Sequence, residues 1–231
     1  MEDSSNTTSQ AYLSSALAPI FQPDRHHQPW ALRALVEGAI SCAGISAESL
    51  LQTSRHILTT SLHAADVRHV QVLFTVYSEV LRDSVVASTA TQQKAASVLV
   101  LPALDLLAFF LDMRVLQRLA EDPRTTASFK WRSLLSSVQK SHHKSSDVVK
   151  LLAAVSVYRG LAGVESIRGE VVKKLLSMLA TNPYPRIRVA VAEVVFEVLG
   201  VEEMKAVNWA EKGVTQVKMV ADFRKRFVES V

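Results

Sequence analysis

Residues 181–200 read TNPYPRIRVAVAEVVFEVLG, and their pattern decides the fold. Two prolines, Pro183 and Pro185, stand directly before a helix-forming run that extends to Leu199. Pro183 and Pro185 end the preceding helix, and Pro185 suits the first turn of the next, where a missing N–H costs nothing. At ~100° per residue, Arg186, Glu193 and Glu197 fall within about 40° of one another. Nearly every other position is Val, Ala, Ile, Leu or Phe. Such a helix is wet along one stripe and covered elsewhere. An isolated pair of helices cannot cover it, whereas a stack with a neighbour on each side can. Arg188 falls opposite the wet stripe and is predicted to be a structural residue. Buried charge is costly unless compensated, so it should reach an acidic side chain or loop carbonyls nearby.

The rest of the chain extends this pattern. It has 231 residues, 48% of them apolar, with seven Gly, seven Pro and few aromatics, a composition that favours helices. Helices are predicted over residues 11–20, 30–43, 47–63, 67–82 and 91–111. Further helices follow over 128–141, 147–162, 167–180, 185–199 and 209–228. The charged stretch DMRVLQRLAEDPRTT is read as beginning helical and ending at Pro123. Val67, Val148 and Ile187 each open a helix, and Tyr77 and Tyr158 lie 81 residues apart. These offsets approximate multiples of about 40 residues, the period of HEAT and armadillo helix pairs. The fold class expected is therefore all-α, an α-solenoid of HEAT/armadillo-like antiparallel helix pairs. Residues 1–28 read as a polar, flexible segment and 29–231 as the repeat domain.

A C-terminal capping helix is expected at about 207–228. Trp209, a structural residue in this reading, shares one broad face there with Val214, Val217, Val220, Ala221, Phe223, Phe227 and Val228. Lys212, Lys218, Asp222, Lys225, Arg226 and Glu229 share the opposite one. A terminal helix of that kind closes a solenoid. Arg224 points toward the apolar side, so the run Arg224-Lys225-Arg226 reads as a solvated face rather than a nucleic-acid signal.

Several functions are disfavoured. The N-terminus, MEDSSNTTSQ, lacks the features of a signal peptide. The most apolar run, residues 95–111, contains Pro102 and Asp105 and falls short of the ~20 residues a membrane span needs. Lys94, Asp105 and Asp112 instead fall within about 20° on one helix, a narrow wet stripe. The one cysteine, Cys42, excludes an internal disulfide and fits a small buried hydrophobe. Gly-rich phosphate loops, HExxH and CxxC spacings and nucleophile elbows are all missing. The adjacent pairs His26-His27 and His142-His143 have poor metal-chelating geometry. The expectation is no catalytic residue, no metal, no cofactor and no enzyme.

Four segments carry a family resemblance. They are LVEGAISCAGISAESLLQTSRHIL, VLPALDLL, NPYPRIRVAVAEVVFEVLG and NWAEKGVTQVKMVADFRKRF. In that order they resemble the C-terminal domain of tubulin-folding cofactor D, across most of residues 30–228. The resemblance implies a non-enzymatic, cytoplasmic, cytoskeleton-associated chaperone. Its implied partners are β-tubulin, the tubulin-folding cofactors C and E, and an Arf-like small GTPase. It also implies assembly or disassembly of the tubulin heterodimer and stimulation of tubulin GTP hydrolysis within a complex. Family members are several times longer, so the chain reads as a fragment or a short relative.

The net charge is +4, but residues 124–150 hold six basic residues against one acid, Asp147. The plainer reading of this block is solvated loops and helix faces. Because tubulin is acidic, the block could also steer its capture. Lys130, Arg132, Lys140 and Lys144, with Arg186 on the wet stripe, are the candidate partner contacts. Nucleic acid is disfavoured, because only Phe129 and Trp131 could stack on bases and both read as core-facing. The alternative function is a generic HEAT-repeat adaptor or scaffold for another protein or nucleic-acid partner.

Overall fold

A computed structural model describes residues 63, 66–86 and 90–228. The expected polar segment 1–28, the helices 30–43 and 47–62, Cys42 and the pair His26-His27 lie outside the described residues. All regular structure among the described residues is helical. The chain divides into two compact units, Met1–Ser141 and His142–Val231.

In the first unit, α1 (Val67–Val86) is the central element. It packs against α2 (Ala90–Asp112), α3 (Gln117–Glu121), α4 (Pro123–Thr126) and α5 (Trp131–Ser141). Val70, Leu73, Phe74, Tyr77 and Leu81 recur at helical spacing and are buried. Phe74 meets Phe110 of α2 edge to face at 5.5 Å. The Tyr77 hydroxyl donates to the Ala103 carbonyl of α2. α2 runs through Pro102 as one helix, with Asp105 and Asp112 exposed.

A helical stretch does stop just before Pro123, at Glu121, and Pro123 itself then begins α4. The reason is local: the Asp122 side chain caps the helix by accepting from Arg124 N at 2.8 Å, and proline fits the first turn. α5 begins at Trp131 rather than residue 128. Phe129 and Trp131 are both buried, with ring centroids 4.6 Å apart, and present no face for stacking on bases.

The second unit holds α6 (Val148–Leu161), α7 (Glu165–Thr181), α8 (Pro185–Leu199), a 3₁₀ turn (Glu202–Ala206) and α9 (Val214–Phe227). α6 lies against α8, α7 lies against α9, and α7 also touches α6 and α8. Alternate helices are therefore neighbours, which is how solenoid layers stack. α8 has the limits its sequence suggests, starting at Pro185 and stopping at Gly200. Gly200 takes φ 66°, a left-handed conformation cheap for glycine, and its N–H reaches Phe196 O at 2.8 Å. Val191 and Val195 are 0% and 1% exposed, while Arg186, Glu193 and Glu197 face solvent. The covered flank and thin wet edge of this helix are both present.

Arg188, 4% exposed, sits near the start of α8. Its Nε donates to Trp209 O at 3.1 Å. Nη1 donates to Asn182 O at 3.0 Å and Pro183 O at 2.9 Å, and Nη2 donates to Ala210 O. No carboxylate pairs with it among the described residues. Two of its four acceptors, Asn182 O and Pro183 O, lie just beyond the C-terminus of α7, the negative end of that helix's dipole. Lys212 Nζ adds a second cation there, 3.3 Å from Thr181 O. One guanidinium thus fastens the loop before α8 to the loop before α9. Pro183 and Pro185 border this joint and are exposed.

α9 begins at Val214, not at 207–209. Residues 208–210 turn sharply instead, with Asn208 Oδ1 accepting from Ala210 N at 3.1 Å. Trp209 lies outside the helix, buried, and donates Nε1–H to Met204 O at 2.8 Å.

His142 is also buried, with Nε2 2.6 Å from the Tyr158 hydroxyl of α6. Burial chiefly, and then the nearby Lys174 charge, push the imidazole down to about 4. The unfolded chain takes up this proton near pH 6.5 and the folded chain only near 4, so stability falls as pH drops through that window. The loss should reach up to about 3 kcal/mol. Urea unfolding followed by circular dichroism from pH 7.5 to 4.5 checks this. His142→Gln, which does not titrate there, should show a shallower decline.

Arg188→Ala should destabilise the protein by roughly 1–3 kcal/mol, since it strands buried carbonyls. Arg186→Ala should stay within about 0.5 kcal/mol of the parent. Urea midpoints of the two variants give the comparison.

Candidate partner-binding surface

Interaction chemistry on a helical stack comes from what its exposed edges carry, so each candidate contact is best placed on its element. In the first unit, Lys130 directly precedes α5, Arg132 lies in its first turn and Lys140 in its last. All three are exposed. α5 buries Trp131, Leu134, Leu135 and Val138, so its packing against α1 fixes which side the cations leave open.

In the second unit, Lys144 is exposed in the turn before α6 and takes φ 56°. Arg186 is exposed on the first turn of α8. Asp147 is the one acid of the basic block. It caps α6, accepting from Val149 N at 3.0 Å and Lys150 N at 3.2 Å. Its carboxylate is therefore engaged by backbone donors.

The sequence reading of α9 needs correction. Val214 and Val217 are 70% and 62% exposed, and Ala221 is exposed too. Val220 and Phe223 are the buried residues of this helix. The reason is angular: Val214 and Phe223 are nine residues apart, about 180° around a helix, and cannot share a face. The helix is not a cap with all its apolar residues turned inward.

Instead, the start of α9 forms one wall of an open groove of about 570 Å³. Leu179 and Ala180 at the end of α7, with Trp209, form the other side. Lys212 and Lys218 stand at the groove, and so does Glu211, which accepts from Asn208 Nδ2 at 2.9 Å. The expectation of one broad inward face leaves no place for this groove. The angular offsets of Val214 and Val217 from Phe223 were the available signal.

The surface offers apolar area, cations and backbone anchoring, which are means of holding a partner. Among the described residues, no three His, Cys, Asp or Glu side chains converge as a metal site would require. No described helix is long and apolar enough to cross a membrane.

Comparison with known proteins adds one positive finding. The family described as tubulin folding cofactor D C terminal matches residues 4–150. The match stops short of residues 182–200 and 208–227, so the assignment rests on the earlier part of the chain. No match is found among curated proteins or solved structures. With more than half of its length matched, the chain belongs to the tubulin folding cofactor D C-terminal family.

Proposed function

We propose that this protein is a non-enzymatic tubulin-folding cofactor domain that binds β-tubulin, companion cofactors C and E, or both. Its setting is the cytoplasm, in the assembly or disassembly of the tubulin heterodimer. An Arf-like small GTPase belongs to the same assembly, which stimulates tubulin GTP hydrolysis. The observation that carries this reading is the family match over residues 4–150. The helical stacking within the second unit supports it, because such stacks present long binding edges. The exposed cations Lys130, Arg132 and Lys140 around α5 suit an acidic partner such as tubulin. In this reading residues 29–231 form the repeat domain and residues 1–28 a polar lead-in.

Full-length chain immobilised through a tag should retain β-tubulin or cofactors C and E from lysate at low salt, as identified by mass spectrometry. The triple variant Lys130→Glu, Arg132→Glu, Lys140→Glu should retain about tenfold less, with a weaker salt dependence. Absence of all three proteins from the retained fraction would sink the proposal.

A further inference from the structure

α9 presents two different apolar surfaces. Val220 and Phe223 point into the second unit, whereas Val214, Val217 and Ala221 point out of it. The outward three are spaced i, i+3 and i+7, and they fall within about 60° of one another on the helix. They form a narrow apolar stripe some 10 Å long, at ~1.5 Å rise per residue. Val214 and Val217 also line the groove beside Leu179, Ala180 and Trp209, so the stripe opens into a concavity at one end.

Exposed cations border this stripe on one side. Lys218 and Lys225 are exposed along one edge. Arg224, on the other edge, is half-buried, and its Nε is buried without a hydrogen-bond partner among the described residues. Asp222, the one acid of α9, falls outside the stripe and lies 3.9 Å from Arg226. The result is an apolar track with a positive rail along one edge.

We propose that this track is a docking site for an acidic amphipathic helix of a partner protein. Its apolar residues, at i, i+3 or i+4, and i+7, lie along Val214, Val217 and Ala221, and the largest of them enters the groove. Its Asp and Glu residues lie on one side of that seam and meet Lys218 and Lys225. Helix-in-groove docking reads anchors at this spacing. Charge decides against the other occupants. A second copy of α9 would bring like charges together. An anionic membrane would match the charge, but Phe223 is turned inward, and the exposed residues are small ones that insert little area. The site lies beyond the residues matched by the family, so it goes beyond the tubulin reading and does not depend on it.

Panning a phage-displayed library of 16-residue peptides against the full chain tests the proposal. The winners should carry the i, i+3/i+4, i+7 apolar pattern with flanking Asp or Glu. A synthetic winner should bind saturably in fluorescence anisotropy. Val217→Asp, at an exposed position that leaves the core intact, should weaken it at least about tenfold. Lys218→Glu should weaken it about threefold or more, and a peptide with Lys in place of its flanking Glu should recover that loss. Circular dichroism of both variants should match the parent. The proposal is overturned if panning yields no winners, if winners are basic or bind both variants as well as the parent, or if Lys-for-Glu peptides give no recovery. It is equally overturned if sedimentation shows a dimer that Val217→Asp dissolves, or if phosphatidylserine vesicles bind the chain where no peptide does.

Discussion

The second unit depends on how Arg188 is held. A guanidinium removed from water is costly, and it is tolerated only when its donors are occupied. Arg188 spends four hydrogen bonds on peptide carbonyls from two separate loops, one before α8 and one before α9. Because the acceptors are far apart in sequence, the bonds fix the spacing of those loops. They also neutralise the C-terminal end of α7, where carbonyls lack helical donors. The two prolines complete this arrangement from the covalent side. Pro185 needs no partner for a backbone donor at the first helical turn, and Pro183 offers its carbonyl to the guanidinium.

From that joint the packing follows. α8 is set down with Ile187, Val191 and Val195 inward, and α7 packs against α6, α8 and α9. α9 receives one apolar face from this stacking and keeps another. A helix in a layered array usually meets neighbours on more than one side. The outward valines of α9 have the spacing of such a contact without a neighbour to fill it among the described residues. The helix expected to close the stack with one inward face instead keeps an exposed apolar stripe.

How much of this was legible in the sequence depends on the kind of signal. α8 was fully readable because several independent cues agree. Proline marks its start, glycine its stop, and its charges share one narrow stripe. The stop before Pro123 was legible, but the short helix that Pro123 opens was not, because only the preceding Asp122, a capping residue, signals it. α9 was misread at its start because the Asn208 turn and Gly213 intervene between Trp209 and Val214. Its outward face was missed for a geometric reason, since apolar residues nine positions apart oppose one another. The Lys and Arg positions of the basic block were plain in the sequence. Which face each occupies depends on the packing of α5 and α8, which composition does not encode. The His142–Tyr158 pair was not legible, because its two members come from a turn and a helix that meet only in the folded unit.

The anchoring of Arg188 has a consequence for how this region can change. Its acceptors are main-chain oxygens, which every amino acid supplies. Residues such as Asn182 and Ala210 can therefore be exchanged for others without removing the atoms the guanidinium grips. The reach between the grip points is another matter. Lengthening either connection by a single residue would carry the oxygens out of register, so this joint is lenient toward substitution and strict toward insertion.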